Sequence, residues 1–100
     1  MNLTQKQRQY LRKLAHDLKP VVQIGKNGLS EQTVVSADQV LHTQELIKVK
    51  FHDFQDQKQE ISEQLATRTK AVLVSIIGNT AILYRQSSDS ERRTIEVPRL

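Results

Sequence analysis

The sequence predicts a single α/β (α+β) domain, with three helices packed on a four-stranded mixed sheet in the order α-β-α-β-α-β-β. Three observations predict it. The chain has 100 residues, the length of one domain. Helical periodicity alternates with short β-branched runs as far as Arg68. Gly78-Asn79 then separates two apolar runs as a two-residue hairpin turn would. Residues 1–100 read as one unit, with a core over 3–86 and a C-terminal extension over 87–100.

The first helix is predicted from Thr4 to Leu18. Thr4 is placed to cap it, and Gln7, three residues on, completes a capping box. At about 100° per residue, Leu3, Tyr10, Leu11, Leu14, Ala15 and Leu18 share an inward arc. Arg8, Arg12, Lys13, His16 and Lys19 fill the opposite arc as a cationic strip. Pro20 stops the helix, because the residue before proline avoids the α region. Val21 to Ile24 is a β-branched run between Pro20 and Gly25, hence a strand. After the Gly25-Lys26-Asn27-Gly28 loop, Ser30 caps a second helix to Thr43, with Val34, Ala37, Val40 and Leu41 inward. Glu45 to His52 alternates: Ile47, Val49 and Phe51 on one face, Lys48, Lys50 and His52 on the other. Strand, helix and strand of these lengths imply a right-handed crossover and parallel pairing. Asp53 to Arg68 reads as a third helix capped by Asp53 or Asp56, with Phe54, Ile61, Leu65 and Ala66 inward; the polar run 56–60 could instead be loop. Ala71 to Ile77 is almost continuously apolar, which predicts a strand buried on both faces. Thr80 to Arg85 returns antiparallel, residues 86–90 form a loop, and Ile95 and Val97 suggest a short terminal edge strand.

Composition excludes several classes of function. The absence of cysteine removes disulfides, thiolate metal sites and cysteine nucleophiles. Two Phe, two Tyr and no Trp argue against a ladder of base-stacking rings. No stretch approaches the roughly 18–20 apolar residues of a membrane helix, and Met1 to Lys6 has no apolar h-region, so a cytoplasmic protein without membrane attachment is expected. The net charge is +4, concentrated in residues 1–26, where six Lys and Arg face Asp17 alone. That suits a phosphate-rich partner, although a solvated helix face gives the same count.

The sharpest motif is Gly25-Lys26-Asn27-Gly28, between a strand and a helix N-terminus. Two glycines let a polyanion approach without a Cβ in the way, and the opening amides of the helix carry the positive end of its dipole. Lys26 adds a mobile cation and Asn27 an amide. The spacing matches the four-residue phosphate clamp of KH-type RNA modules and is neither a Walker loop nor a dinucleotide fingerprint. A tight turn that needs two glycines is the competing reading. Lys48 and Lys50 extend a basic surface, and Arg85 is a further candidate; Arg92, Arg93 and Arg99 are diluted by Asp89, Glu91 and Glu96. His16, His42 and His52 lack metal-ligand spacing, and no catalytic dyad or nucleophile motif can be assembled. No cofactor, metal or small-molecule substrate is expected.

These residues also resemble a known family. Leu11-Arg12-Lys13-Leu14-Ala15-His16, Pro20 to Leu29, Glu45 to Lys50, Ile77-Gly78 and Leu83-Tyr84-Arg85 occur in the order seen in the CRM-domain (chloroplast RNA splicing and ribosome maturation) family, in its bacterial single-domain YhbY-like members. The resemblance spans residues 3–99. It implies a fold similar to the C-terminal domain of bacterial initiation factor three. It also implies RNA binding through Gly25, Lys26, Asn27 and Gly28, with Arg12, Lys13 and Lys19 beside them. The expected protein is a monomeric, non-catalytic ribosome assembly factor on large-subunit ribosomal RNA or precursor particles. The alternative is a module that docks on a ribosomal protein or assembly factor through its open sheet face.

Overall fold

A computed structural model, describing residues 2–89 with Glu91, Arg93, Ile95, Val97 and Pro98, has the expected element order. The elements are α1 (Gln5–Ala15), β1 (Val22–Ile24), α2 (Glu31–Gln44), β2 (Leu46–Phe51), α3 (Lys58–Thr69), β3 (Val72–Ile77) and β4 (Thr80–Tyr84). The sheet order is β1-β2-β4-β3. β1 and β2 pair in parallel, and β4 runs antiparallel to both β2 and β3.

Alternation along the strands divides the core in two. Val22, Ile24, Ile47, Val49, Phe51 and Leu83 pack with α2 and α3. Leu46, Val74, Ile82 and Tyr84 pack with Leu11 and Ala15 of α1 on the other face. A buried side chain of this size contributes about 1.5–3 kcal/mol, so both faces must be covered. α1 covers only part of its face.

Caps fix where the helices begin. Thr4 and Gln7 form the predicted capping box, and Ser30 accepts from the Thr33 amide. α3 starts later than Asp53 or Asp56 would place it: Phe54 is left-handed (φ 58°), a 3-10 turn covers Gln55–Gln57, and no side chain caps Lys58. The Gly78 turn is as predicted, with φ +58° at the first turn position.

Five expectations need correction. α1 stops at Ala15, because His16 and Leu18 donate to Lys13 and Ala15 in tightened i−3 bonds ahead of Pro20. Leu18, beyond that end, stands 37% exposed, and Leu14, within α1 but turned away from the Leu11–Ala15 face, stands 42% exposed instead of inward. Arg8, about 60° round the helix from Leu11 at 100° per residue, turns inward and donates to the Leu73 and Val74 carbonyls at 2.5 and 2.9 Å. Those carbonyls mark a β-bulge, where Val74 is the extra residue between the Leu73 and Ser75 pairings. β3 is an edge strand with Val74 alone fully buried, whereas β4 is the buried inner strand. The described residues Ile95 and Val97 form no strand; they pack on the α1-side core.

Glu45 explains how that segment is held. It is fully buried between α2 and β2 with φ 60°. Its carboxylate accepts from the Ser87 amide at 2.6 Å and the Ile95 amide at 3.1 Å. A buried carboxylate that accepts from two backbone amides has its lone pairs met, which keeps its burial tolerable.

Candidate nucleic-acid interface

The glycine loop follows β1 directly. The Gly28 amide donates to the Gly25 carbonyl at 3.0 Å, which closes the turn, and the Ser30 amide donates to Gly28 at 3.1 Å. The two glycines have different standing. Gly28 is left-handed (φ +60°), and a Cβ there would lie 3.4 Å from the Phe54 ring. Gly25 has no positive φ, and a Cβ would meet nothing within 4 Å. The backbone therefore favours glycine at 28 but not at 25. Lys26 and Asn27 project into solvent between them. A polar cavity of about 300 Å³ adjoins the loop, lined by Gln23, Ser30, Gln32, Thr33 and Ser36 among others. The α2 N-terminus is already partly engaged: Ser30 holds the Thr33 amide, and Glu31 in the first turn pairs with Arg68.

A larger groove, about 760 Å³, opens where α1 ends and leaves the sheet bare. Arg12, His16, Lys19 and Pro20 form its wall. Its floor is a row across all four strands set by the pairing register: Gln23 beside Lys50, Lys50 beside Thr80, Thr80 beside Ile77. Lys48 lies one step back and donates to the His16 carbonyl at 3.1 Å, tying the end of α1 to the sheet. His52 at the rim bonds the Gln23 amide oxygen at 2.5 Å. No carboxylate is among the groove's lining residues. Gln23 also lines the loop cavity, so groove and loop are contiguous.

The structure thus brings Arg12, Lys19, Lys48 and Lys50 together and sets them next to Gly25, Lys26, Asn27 and Gly28. Lys13 lies further round α1, in an adjoining cavity lined by Gln9, Arg12, His16, Asp17 and Ile77, which shares Arg12, His16 and Ile77 with the groove. Arg85 is elsewhere. It follows Tyr84, which pairs with Leu46 at the opposite end of β2. Its guanidinium binds Asp38 Oδ1 at 2.6 Å, the Thr69 carbonyl at 2.8 Å and the Asp38 carbonyl at 3.0 Å, a packing role. Arg92 and Arg99 lie outside the described residues. Gln23, Thr80 and Ile77 were not among the sequence candidates, since only the strand order places them in one row. Among the described residues no cluster of His, Asp or Glu could hold a metal, and no helix is long and apolar enough to cross a membrane.

The model of the CRS1 / YhbY (CRM) domain matches residues 3–85. The chain is 37% identical over 97 residues to "Probable RNA-binding protein YqeI" of Bacillus subtilis (strain 168), covering 96% of this chain and 99% of that one. It is 41% identical over 98 residues to the protein of Haemophilus influenzae named "RNA-binding protein", covering 97% and 96%. The solution structure of SAV1595 from Staphylococcus aureus superposes with a TM-score of 0.81 at 41% identity, covering 97% of this chain and 100% of that one.

Proposed function

This chain belongs to the CRS1 / YhbY (CRM) domain family, and on that premise we propose that it is a non-catalytic RNA-binding protein. In this reading it is a cytoplasmic ribosome assembly factor that engages large-subunit ribosomal RNA precursors through the Gly25–Gly28 loop and the adjoining cationic groove. The names of the two relatives, both for RNA binding, support the partner class. The resemblance to bacterial YhbY-like proteins supports the ribosomal setting.

The observation that carries the proposal is Gly25. Neither its backbone angles nor its neighbours call for glycine, whereas close approach of a sugar-phosphate chain does. Lys26, Arg12, Lys19, Lys48 and Lys50 then supply cations on the same side. Phosphate contacts of this kind position an RNA but carry little sequence information, so modest sequence preference is expected.

The test is binding of a large-subunit ribosomal RNA fragment by wild type and by the double variant Lys26→Asp, Asn27→Asp. The variant should lose affinity with unchanged circular dichroism, and wild-type affinity should fall steeply with salt. Association with large-subunit precursors in gradients should be lost on ribonuclease treatment. Unchanged affinity in the variant would make the loop a plain turn, and ribonuclease-resistant association would favour docking on protein.

A further inference from the structure

We infer that the groove on the open sheet face receives an unpaired RNA segment, with a nucleobase laid against Ile77 and its flanking phosphates on the surrounding lysines. This rests on the RNA-binding reading above and adds the form of RNA to it.

Three features of the groove lead there. First, Ile77 is 52% exposed, the most exposed large apolar side chain among the described residues, and it stands on the floor of a cationic groove. A phosphate gains nothing from an isoleucine; the flat face of a base does, by covering apolar surface. Second, the groove carries uncharged hydrogen-bonding groups, Gln23 and Thr80, in the same row as Ile77. Backbone neutralisation needs cations only, whereas base edges are met by amides and hydroxyls. Third, the dimensions fit. Four strands at about 4.8 Å spacing make a floor about 14 Å across, room for a base and its neighbours beside the α1 wall. A paired helix keeps its base faces stacked inside and offers only phosphates, 2′-hydroxyls and base edges to such a surface. The aliphatic floor also accounts for how a protein with two Phe, two Tyr and no Trp could hold a base without an aromatic platform.

Charge complementarity decides the occupant. Arg12, Lys19, Lys48 and Lys50 line the groove, and the one nearby carboxylate, Asp17, sits in the adjoining cavity with Lys13, so the charge around Ile77 stays positive. A run of Asp and Glu shares the anionic character, but it has no planar apolar face to set on Ile77 between the charges.

The experiment uses the full chain and two fluorescent RNA probes, an unstructured single strand and a blunt hairpin duplex of equal phosphate number. Polyglutamate serves as a competitor. The single strand should bind about tenfold more tightly than the duplex. Ile77→Thr keeps the β-branched shape that suits a strand; it should weaken single-strand binding about fivefold, at the lower edge of what loss of a base–aromatic stack costs, as suits an aliphatic contact, and leave the duplex unchanged. Ile77→Phe should strengthen single-strand binding several-fold, because an aromatic ring stacks better; this gain does not depend on a variant losing structure. Equal affinity for both probes, equal effects of the Ile77 variants on both, or displacement by polyglutamate as effective as by unlabelled single strand would each overturn the inference. If wild type bound neither probe, the RNA-binding reading itself would fall. If it bound both alike and the loop variant bound neither, that reading would stand and only the base contact would go.

Discussion

Alanine substitution at the two loop glycines should separate what the fold needs from what the ligand needs. At Gly28, φ is +60°, and an L-residue there costs about 1–2 kcal/mol. The new Cβ would sit 3.4 Å from Phe54 Cε2, an ordinary contact, so backbone strain dominates over collision. Gly28→Ala should therefore lower stability by about 1–2 kcal/mol, a fall in Tm of about 5–15 °C for a domain of this size. At Gly25 the backbone has no positive φ and the space is open. Gly25→Ala should be neutral or stabilise by up to about 1 kcal/mol through the unfolded chain. Its methyl group would nevertheless stand where a phosphate approaches, so RNA affinity should drop while Tm holds. Calorimetry gives the first quantity and fluorescence anisotropy with a ribosomal RNA fragment the second. If Gly25→Ala lost stability, or kept full RNA affinity, glycine at 25 would have no ligand-based explanation. If Gly28→Ala melted with wild type, the backbone argument would be wrong.

Three further outcomes follow from the same geometry. Lys50→Met should reduce the slope of log affinity against log salt by about 0.7, one phosphate contact on a single strand. Arg85→Met should leave that slope unchanged and lower stability by about 1–2 kcal/mol, because it removes charged hydrogen bonds to Asp38 and Thr69; salt titrations and urea melts of the two variants check both halves. Glu45→Ala should release the C-terminal segment by removing the acceptor of the Ser87 and Ile95 amides. Stability should fall by at least about 1–3 kcal/mol, with faster proteolysis after Arg85. Burial, and then the nearby Glu45 carboxylate, raise the Tyr84 hydroxyl above its ordinary value of 10.0. An acid whose folded pKa is raised contributes stability fully below its unfolded pKa and loses it as pH climbs through the folded value. Urea melts should thus show stability declining above pH 10, and Tyr84→Phe should reduce that decline.

Local signals carried most of the fold. Thr4 and Gln7, Ser30, Pro20 and Gly78 act through neighbours within three or four residues, so caps, stops and turns were legible. What lay beyond reach depended on contacts distant in sequence. The run Val72–Ile77 is apolar enough for an inner strand, but strand order makes it an edge, and nothing local fixes strand order. The Leu14–Leu18 stripe would face inward on an uninterrupted helix; its early end and the rotation that aims Arg8 at the β3 bulge come from tertiary packing. In the site, the loop and the alternating lysines of β2 were visible as patterns. The Gln23–Lys50–Thr80–Ile77 row was not, since it exists only once four strands are in register. The Arg85 contacts to Asp38 and Thr69 were not legible either, because those partners are far from it along the chain.

The most direct measurement is an amide chemical-shift titration of the ¹⁵N-labelled chain with a ribosomal RNA fragment. Phosphate capture by the loop and groove predicts shifts at Gly25 to Gly28 that extend through Gln23 to Lys50 and Ile77, with the Arg85, Asp38 and Thr69 end silent. Shifts gathered at that opposite end, with the glycine loop unmoved at saturation, would contradict it.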